Sequence, residues 1–172
     1  MADQVNHSAA PWELADAKLV AQCRFEAFVG SGPGGQKRAK TNAAVRYTHL
    51  PTGIWAIAAD SRSQRENRIH ALRNLRHKLA IGMPRDAIDP LSFAPPSWLA
   101  QYPHLHMSPK NPRYPALVAL VLDALKAMRW SVPHAAVMLG VSRSALWRFL
   151  RDDSALWAHV HRVWTELGIK AP

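Results

Sequence analysis

Residues 30–41 have the sequence Gly30-Ser31-Gly32-Pro33-Gly34-Gly35-Gln36-Lys37-Arg38-Ala39-Lys40-Thr41, and this stretch organises the first half of the chain. Four glycines and a proline accompany a single glutamine. Glycine is favoured where the backbone adopts a conformation that a Cβ atom would forbid, or where it approaches another molecule closely, so we expect a loop that touches a partner. The cations that follow, Lys37, Arg38 and Lys40, favour a phosphate backbone as that partner.

The sequence on both sides of the loop is typical of β-strands. Apolar and polar residues alternate from Cys23 to Val29, which predicts a half-buried strand that leads into the loop. Beyond the loop, residues 43–50 and 54–59 alternate in the same way on either side of the turn Pro51-Thr52-Gly53 and predict a β-hairpin. We therefore expect a small β-sheet next to the loop.

A helix is predicted directly after the hairpin. Ser63 and Glu66 have the spacing of a capping box, and Gly82 and Pro84 end the helix. Its apolar stripe recurs every three or four residues and comprises Ile69, Leu72, Leu75 and Leu79. Its opposite face is basic and carries Arg65, Arg68, Arg73, Arg76 and Lys78. Such a face either binds RNA or is an ordinary solvated helix surface, and the pattern alone leaves both open.

The other segments complete a division of the chain into four parts. Residues 1–21 contain a short amphipathic helix from Pro11 onward, and residues 22–82 hold the sheet, the loop and the basic helix. Seven prolines between residues 83 and 112 predict a connector without regular structure. Residues 113–170 show the apolar periodicity of packed helices. The predicted fold class is therefore α+β: a small β-sheet with a packed basic helix, followed by a separate all-α domain.

The composition restricts the partners. The chain has 172 residues and a formal net charge of +10, which favours nucleic acid or an anionic membrane surface. A membrane span is not expected, because the longest apolar run, residues 115–128, is short and contains Asp123 and Lys126. The single cysteine excludes an internal disulfide and a cysteine-based zinc site, and no export signal begins the sequence. We expect a cytoplasmic protein without metal or cofactor.

Several short motifs at fixed spacing resemble one family. They are Ser31 to Gln36 with Thr41, Ala44-Val45-Arg46, Thr48 to Gly53, and Arg62-Ser63-Gln64. Over residues 22–80 they resemble the catalytic domain of class I peptide chain release factors, which small codon-independent ribosome-rescue hydrolases share. Two positions depart from the family pattern: Val29 stands where an arginine is common, and Ala39 where an asparagine is frequent. These departures affect the contacts of the loop with rRNA and leave Gly-Gly-Gln intact.

The resemblance implies hydrolysis of the ester that joins a nascent peptide to tRNA, in the peptidyl transferase centre of the large ribosomal subunit. It assigns catalysis to Gly34, Gly35 and Gln36. The two glycines would let the main chain turn so that the Gln36 N–H donates to the developing oxyanion, while the Gln36 side chain would exclude nucleophiles larger than water. The implied partners are large-subunit rRNA and peptidyl-tRNA, and we expect the protein to act as a monomer.

RNA contacts are predicted for the loop and for the basic residues around it. The candidates in this part of the chain are Ser31, Lys37, Arg38, Lys40, Thr41, Arg46, Arg62, Arg65 and Arg68. Because only about twenty residues precede the first strand, we expect no stop-codon-reading module and therefore codon-independent rescue. Predicted helices stand where rescue hydrolases often have a flexible basic tail, so both a stalled ribosome and a split large subunit stay open as targets.

Residues 135–150 resemble a helix-turn-helix motif. Ala136 is a small residue in the first helix, and Gly140 lies four residues later in the turn. The second helix would present outward Arg143, Ser144, Trp147, Arg148 and Arg151. The tryptophan would then stack on a base while the arginines hold phosphates. RNA is the expected target of this motif, although ordinary packed helices joined by a short turn would give the same pattern.

Two other functions fit the same sequence. One is a nucleic-acid-binding regulator that uses the helix-turn-helix and has a non-catalytic glutamine loop. The other is a ribosome-binding factor without catalysis.

Overall fold

The chain folds into two compact units, Met1–Gly82 and Met83–Pro172. The computed structural model describes residues 10–29, 43–86 and 88–170 of them. The first unit contains a small antiparallel sheet and a long helix, and the second unit is helical. Each unit has its own hydrophobic core. These elements confirm the predicted α+β class.

The N-terminal segment is held by an arginine of the long helix. Residues Pro11–Glu13 form a short 3-10 helix, and Asp16–Ala21 form helix α1. The predicted single helix is wrong, because the backbone of Ala15 between the two pieces is extended, with ψ of 149°. Arg76 donates one hydrogen bond to the carbonyl oxygen of Trp12 at 3.0 Å and forms an ion pair with Asp16 at 2.7 Å. Arg76 therefore ties both pieces to the unit instead of lying on a solvated face.

The described part of the first unit is built on a three-stranded antiparallel sheet in the order β1-β2-β3. The strands are β1 (Cys23–Phe28), β2 (Ala44–His49) and β3 (Trp55–Ala58). β2 and β3 form the predicted hairpin. Gly53 in its turn has φ of +69°, a value that glycine adopts without strain.

Helix α2 (Gln64–Gly82) packs against β2 and β3. Its buried apolar residues include Ala71, Leu72, Leu75 and Leu79, three of which belong to the predicted stripe. The prediction is wrong for Ile69, which is 55% exposed. At 3.6 residues per turn, Ile69 lies about 120° around the helix from Leu75, and Asn67 takes the inward position instead.

His49 is a buried polar residue at the end of β2. Its Nδ1 lies 2.8 Å from the Thr52 hydroxyl, and its Nε2 lies 3.0 Å from Oε1 of Gln22. Because an amide oxygen only accepts, Nε2–H donates to Gln22 and Nδ1 accepts from Thr52, which is the pattern of a neutral imidazole. Burial lowers the pKa of His49 below its ordinary value of 6.5.

This environment predicts an acid-sensitive first unit. As pH falls below about 6.5, the unfolded chain takes up the His49 proton before the folded chain does, so the free energy of unfolding decreases. Above that pH the contribution of the neutral side chain is complete. We expect the free energy of unfolding, measured by chemical denaturation between pH 5 and 8, to decrease with falling pH in the wild type and to decrease less in His49→Gln. Equal slopes in both proteins would contradict the assignment.

The described part of the second unit has four α-helices: α3 (Tyr114–Ala127), α4 (Val132–Leu139), α5 (Arg143–Asp152) and α6 (Ser154–Glu166). Ser142 caps α5 by accepting a hydrogen bond from the Ala145 N–H at 3.1 Å. Gly140 ends α4 in the left-handed conformation, with φ of +68°. Helices α4 and α5 with their short connection therefore form the predicted helix-turn-helix.

Residues 83–112 pack within the second unit, which corrects their prediction as a connector. Leu99, in the 3-10 helix Ser97–Gln101, is buried, as are Leu105 and Met107. Arg85 donates to the carbonyl oxygen of Ala119 at 3.0 Å and pairs with the Asp123 carboxylate at 2.7 Å. The unit therefore begins at Met83 rather than at residue 113, because Arg85 is fastened to α3 and apolar side chains between the prolines are buried.

Candidate functional site

The Gly-Gly-Gln loop is carried between two paired strands. Phe28 at the end of β1 lies opposite Ala44 at the start of β2, so the chain leaves and re-enters the sheet at the same end. Residues 30–42 between them lie outside the described part of the chain. The candidate residues that fall in this range are Ser31, Gly34, Gly35, Gln36, Lys37, Arg38, Lys40 and Thr41. Their roles stay predictions. The described residues on either side show how the two ends of the loop are held.

Asn67 fastens the returning end of the loop to the start of α2. Its side chain is fully buried. Nδ2 donates to the carbonyl oxygen of Ala43 at 2.6 Å and to that of Ser61 at 2.8 Å, while Oδ1 accepts from the Ser61 N–H at 2.9 Å. The buried Asn67 amide thus has partners for both its oxygen and its nitrogen, and leaving such buried polar atoms unpaired is costly. Asn67 therefore fixes where the main chain emerges from the loop, a role that the sequence analysis missed.

The predicted capping box at the start of α2 is only half formed. The Ser63 hydroxyl accepts from the Glu66 N–H at 3.3 Å, as predicted. The Glu66 carboxylate, however, accepts from the Ser61 hydroxyl, which in turn accepts from the Ser63 N–H at 3.0 Å. Ser61 is thus the centre of a network that reaches from Glu66 to Asn67 and stiffens the turn before α2.

The sheet face opposite α2 presents an aromatic and basic surface. The Arg46 guanidinium lies 5.1 Å from the ring centre of Trp55 and 5.7 Å from that of Phe28. Lys78 also reaches Trp55, with Nζ at 4.7 Å from the ring centre. Trp55 is 47% exposed and was not among the predicted site residues. Since neighbouring strand residues alternate between faces, the position of Trp55 next to buried Ala56 could have predicted that Trp55 lies on the open face with Arg46.

The remaining basic candidates of this unit lie at the start of α2. Arg62, Arg65 and Arg68 are exposed. Arg68 lies over the ring of Phe25 at 4.5 Å and donates to Gln64 at 3.0 Å. Phe25 is on the α2 side of the sheet but is still 38% exposed, because the helix covers β2 and β3 more fully than the edge strand β1. The described RNA-contact candidates of this unit therefore lie apart. Arg46 is on the open face of the sheet, whereas Arg62, Arg65 and Arg68 lie at or just before the start of α2 on its other side.

The described residues show no activated side-chain nucleophile next to the loop. Burial raises the pKa of the Cys23 thiol, which donates to the carbonyl oxygen of Leu19 at 3.2 Å, so Cys23 stays a protonated thiol at neutral pH. Burial also raises the pKa of Tyr47. Within residues 10–29, 43–86 and 88–170, no cluster of three or more His, Cys, Asp or Glu could hold a metal ion. In the same ranges, no helix is long and apolar enough to cross a membrane.

A second candidate surface lies on the exposed face of α5. It is a shallow groove lined by Arg143, Ser144, Trp147, Arg148, Arg151 and Asp152. The expectation that Trp147 projects freely is corrected: it is half-buried, with its ring centre 5.8 Å from Trp157 and 5.7 Å from Trp164 on α6. Arg143 and Arg148 are exposed as expected. Arginines therefore dominate this surface, and its aromatic rings mainly pack against each other.

Comparison with known protein families relates the loop and its sheet to one domain family. Residues 19–87 match the family model of the RF-1 domain. This part of the chain is similar to the RF-1 domain. The match takes in all three strands and α2, and it contains Gly34, Gly35 and Gln36. It confirms the resemblance to the release-factor catalytic domain that the motifs indicate.

Curated relatives that match this part of the chain include release factors. Over 66 residues the chain is 44% identical to peptide chain release factor 1 of Caulobacter vibrioides, which covers 38% of this chain and 18% of that protein. Over 56 residues it is 50% identical to peptide chain release factor 1 of Wolbachia pipientis, covering 33% of this chain and 15% of that protein. The chain thus matches less than a fifth of the length of these relatives.

A second family model matches the C-terminal unit. Residues 119–151 are similar to the bacterial regulatory protein, Fis family. The match includes most of α3, all of α4 and most of α5, and it ends before α6. It supports the helix-turn-helix found in the fold.

Proposed function

We propose that this protein hydrolyses the peptidyl-tRNA ester in the peptidyl transferase centre of cytoplasmic ribosomes, as a codon-independent rescue factor. The observation that carries the proposal is the RF-1 domain match with Gly34, Gly35 and Gln36 inside it. Peptide chain release factor 1, the relative that shares this domain, gives the reaction class. Stalled ribosomes and split large subunits holding peptidyl-tRNA are the proposed substrates.

The chemistry suits a main-chain catalyst. Water attacks the ester carbonyl carbon, negative charge develops on the carbonyl oxygen, and the bond to the tRNA ribose breaks to give free peptide acid and tRNA. A backbone N–H at Gln36 can stabilise that charge without titrating, and Gly34 and Gly35 give the chain the conformational freedom to present it. The Gln36 side chain admits water and excludes larger nucleophiles. The ribosome and the terminal hydroxyl of the tRNA supply the rest of the site.

Codon independence is supported by what accompanies the RF-1 domain. The C-terminal unit matches the Fis family over residues 119–151, whereas the similarity to release factor 1 stays within 15–18% of that protein's length. A helical unit of this kind offers a nucleic-acid contact that does not depend on a codon. The proposed RNA contacts are Ser31, Lys37, Arg38, Lys40, Thr41, Arg46, Arg62, Arg65, Arg68, Arg143, Trp147 and Arg148.

Release of labelled peptide from defined ribosome complexes tests the proposal. Complexes with a truncated mRNA, a sense codon or a stop codon in the A site are compared with isolated large subunits that hold peptidyl-tRNA. We expect hydrolysis on truncated complexes or on isolated subunits, without any advantage for the stop codon, and its loss in Gly35→Ala. A requirement for the stop codon would overturn codon independence, and no release from any complex would overturn the hydrolase assignment.

The Fis family match favours a second candidate, a nucleic-acid-binding regulator. In that case the C-terminal unit would bind a duplex of particular sequence, and the glutamine loop would be dispensable. Selection from a random pool of DNA duplexes separates the two candidates. Enrichment of one sequence, unaffected by Gly35→Ala, would support the regulator.

A further inference from the structure

We propose that the exposed face of α5 binds the phosphodiester backbone of an RNA double helix, through Arg143, Arg148 and an Arg151 side chain that α6 holds in place. The proposal rests on the proposed function for its choice of RNA over DNA. It adds the support that α6 gives to Arg151, which neither the sequence motif nor the family match indicates, since α6 lies outside residues 119–151.

The first observation is a cluster of three tryptophans between α5 and α6. Trp147, Trp157 and Trp164 have ring centres 5.7 to 6.0 Å apart, and Trp164 is buried, with its Nε1 donating to the carbonyl oxygen of Trp130 at 3.1 Å. Pairs of rings at these distances attract each other beyond their buried area. The cluster therefore braces α5 against α6. Arg143 and Arg151 lie one turn before and one turn after Trp147 on the same face of α5, beside the cluster.

The second observation is the position of Arg151. Its guanidinium carbon lies 5.5 Å from the ring centre of Trp147 and 5.7 Å from that of Trp157. The two rings restrict the side chain, while the N–H groups at the guanidinium edge stay available to an anion. An arginine held in this way loses little conformational entropy when a phosphate binds, which increases affinity.

The third observation is the charge of the face. Among the described residues, no ion pair involves Arg143, Arg148 or Arg151. Asp152 is the single acidic residue of the groove. Three arginines without carboxylate partners and one serine hydroxyl match phosphate oxygens, which accept bidentate hydrogen bonds from guanidinium groups.

The geometry of an RNA helix limits what the arginines of this face can reach. Arginine binds both phosphates and the major-groove edge of guanine, and the groove contains no Asn or Gln, the side chains that read adenine. The major groove of an RNA helix is too narrow for an α-helix, so the guanine edges there are out of reach. The arginines are left with phosphates and with the 2′-hydroxyls of the minor groove. The expected ligand is therefore an RNA stem of any sequence.

Binding of the full chain to a labelled RNA hairpin, measured at several salt concentrations, tests this inference. We expect Arg143→Ala, Arg148→Ala and Arg151→Ala each to weaken binding to stems of different sequence by a similar factor, and to lower the salt dependence by about one phosphate contact. Arg113→Ala, at an exposed arginine before α3, is the matched control and should bind like the wild type. Wild-type affinity in all three α5 variants would overturn the proposal.

The support for Arg151 has a separate test. Trp157→Leu should weaken RNA binding in the wild-type background and have little further effect when Arg151 is already alanine, since the tryptophan acts through the arginine. Equal effects in both backgrounds would overturn that role.

Comparison ligands and the release assay separate the remaining outcomes. Tighter binding to a DNA duplex of one sequence than to any RNA stem would overturn the choice of RNA. If wild-type protein releases peptide but binds no RNA stem, this inference fails alone. If it binds the stem through α5 but releases no peptide, the proposed function fails alone.

Discussion

Replacing Gln36 with proline is expected to lower the rate constant of peptide release on saturating ribosomes by about 10²–10³-fold. Proline has no backbone N–H, so the variant loses the donor that we assign to the developing oxyanion. A loss of this size is typical when one preorganised oxyanion donor is removed. The measurement is single-turnover release of labelled peptide, with ribosome binding determined in parallel to show that the variant still reaches its substrate.

Gln36→Ala is the matched control, because alanine keeps the N–H and removes only the side chain. We expect it to retain more water-dependent release than Gln36→Pro. It should also increase release by a larger nucleophile such as hydroxylamine, since the side chain no longer narrows the pocket. If both variants lose release equally, and neither changes the preference between nucleophiles, the main-chain N–H is not the catalytic group.

The strands, the hairpin and most helices of this chain are predictable because they depend on local signals. Alternation over Cys23–Phe28 and the Pro51-Thr52-Gly53 turn specify the sheet, and Ser142 with Gly140 specifies the helix-turn-helix. The errors come from tertiary contacts. Ile69 continues the apolar spacing of α2, yet it is exposed because the smaller, polar Asn67 satisfies three hydrogen bonds in the interior.

Long-range partners decide the roles of charged and aromatic side chains, and no sequence pattern predicts which partners those are. Arg76 looks like part of a solvated basic face but pairs with Asp16, sixty residues earlier. Trp147 has the spacing of an exposed reader but packs against Trp157 and Trp164. The Gly-Gly-Gln motif is the opposite case, because the chemistry that we propose for it resides in the main chain and is therefore indicated by residue type and spacing alone.

Asn67→Ala is expected to destabilise the first unit by roughly 3 kcal/mol and to slow peptide release beyond what the loss of folded protein explains. The substitution leaves the Ser61 N–H, the Ser61 carbonyl and the Ala43 carbonyl without their buried partner. Ala43 is the residue through which the main chain leaves the Gly-Gly-Gln loop. We expect the rate constant of release to fall at a temperature where the variant is still folded, while the ribosome concentration needed for half-maximal rate changes little.

Leu79→Ala separates positioning from stability. Leu79 is fully buried on the same helix, so its truncation should lower the free energy of unfolding by about 2–5 kcal/mol. It lies three turns from Asn67 and takes no part in the hydrogen bond to Ala43. Asn67→Asp sharpens the comparison, because its carboxylate still accepts from the Ser61 N–H but cannot donate to Ala43. If Asn67 positions the loop, release per folded molecule falls in both Asn67 variants and is preserved in Leu79→Ala. Proportional losses of release and stability in all three would reduce Asn67 to a structural residue.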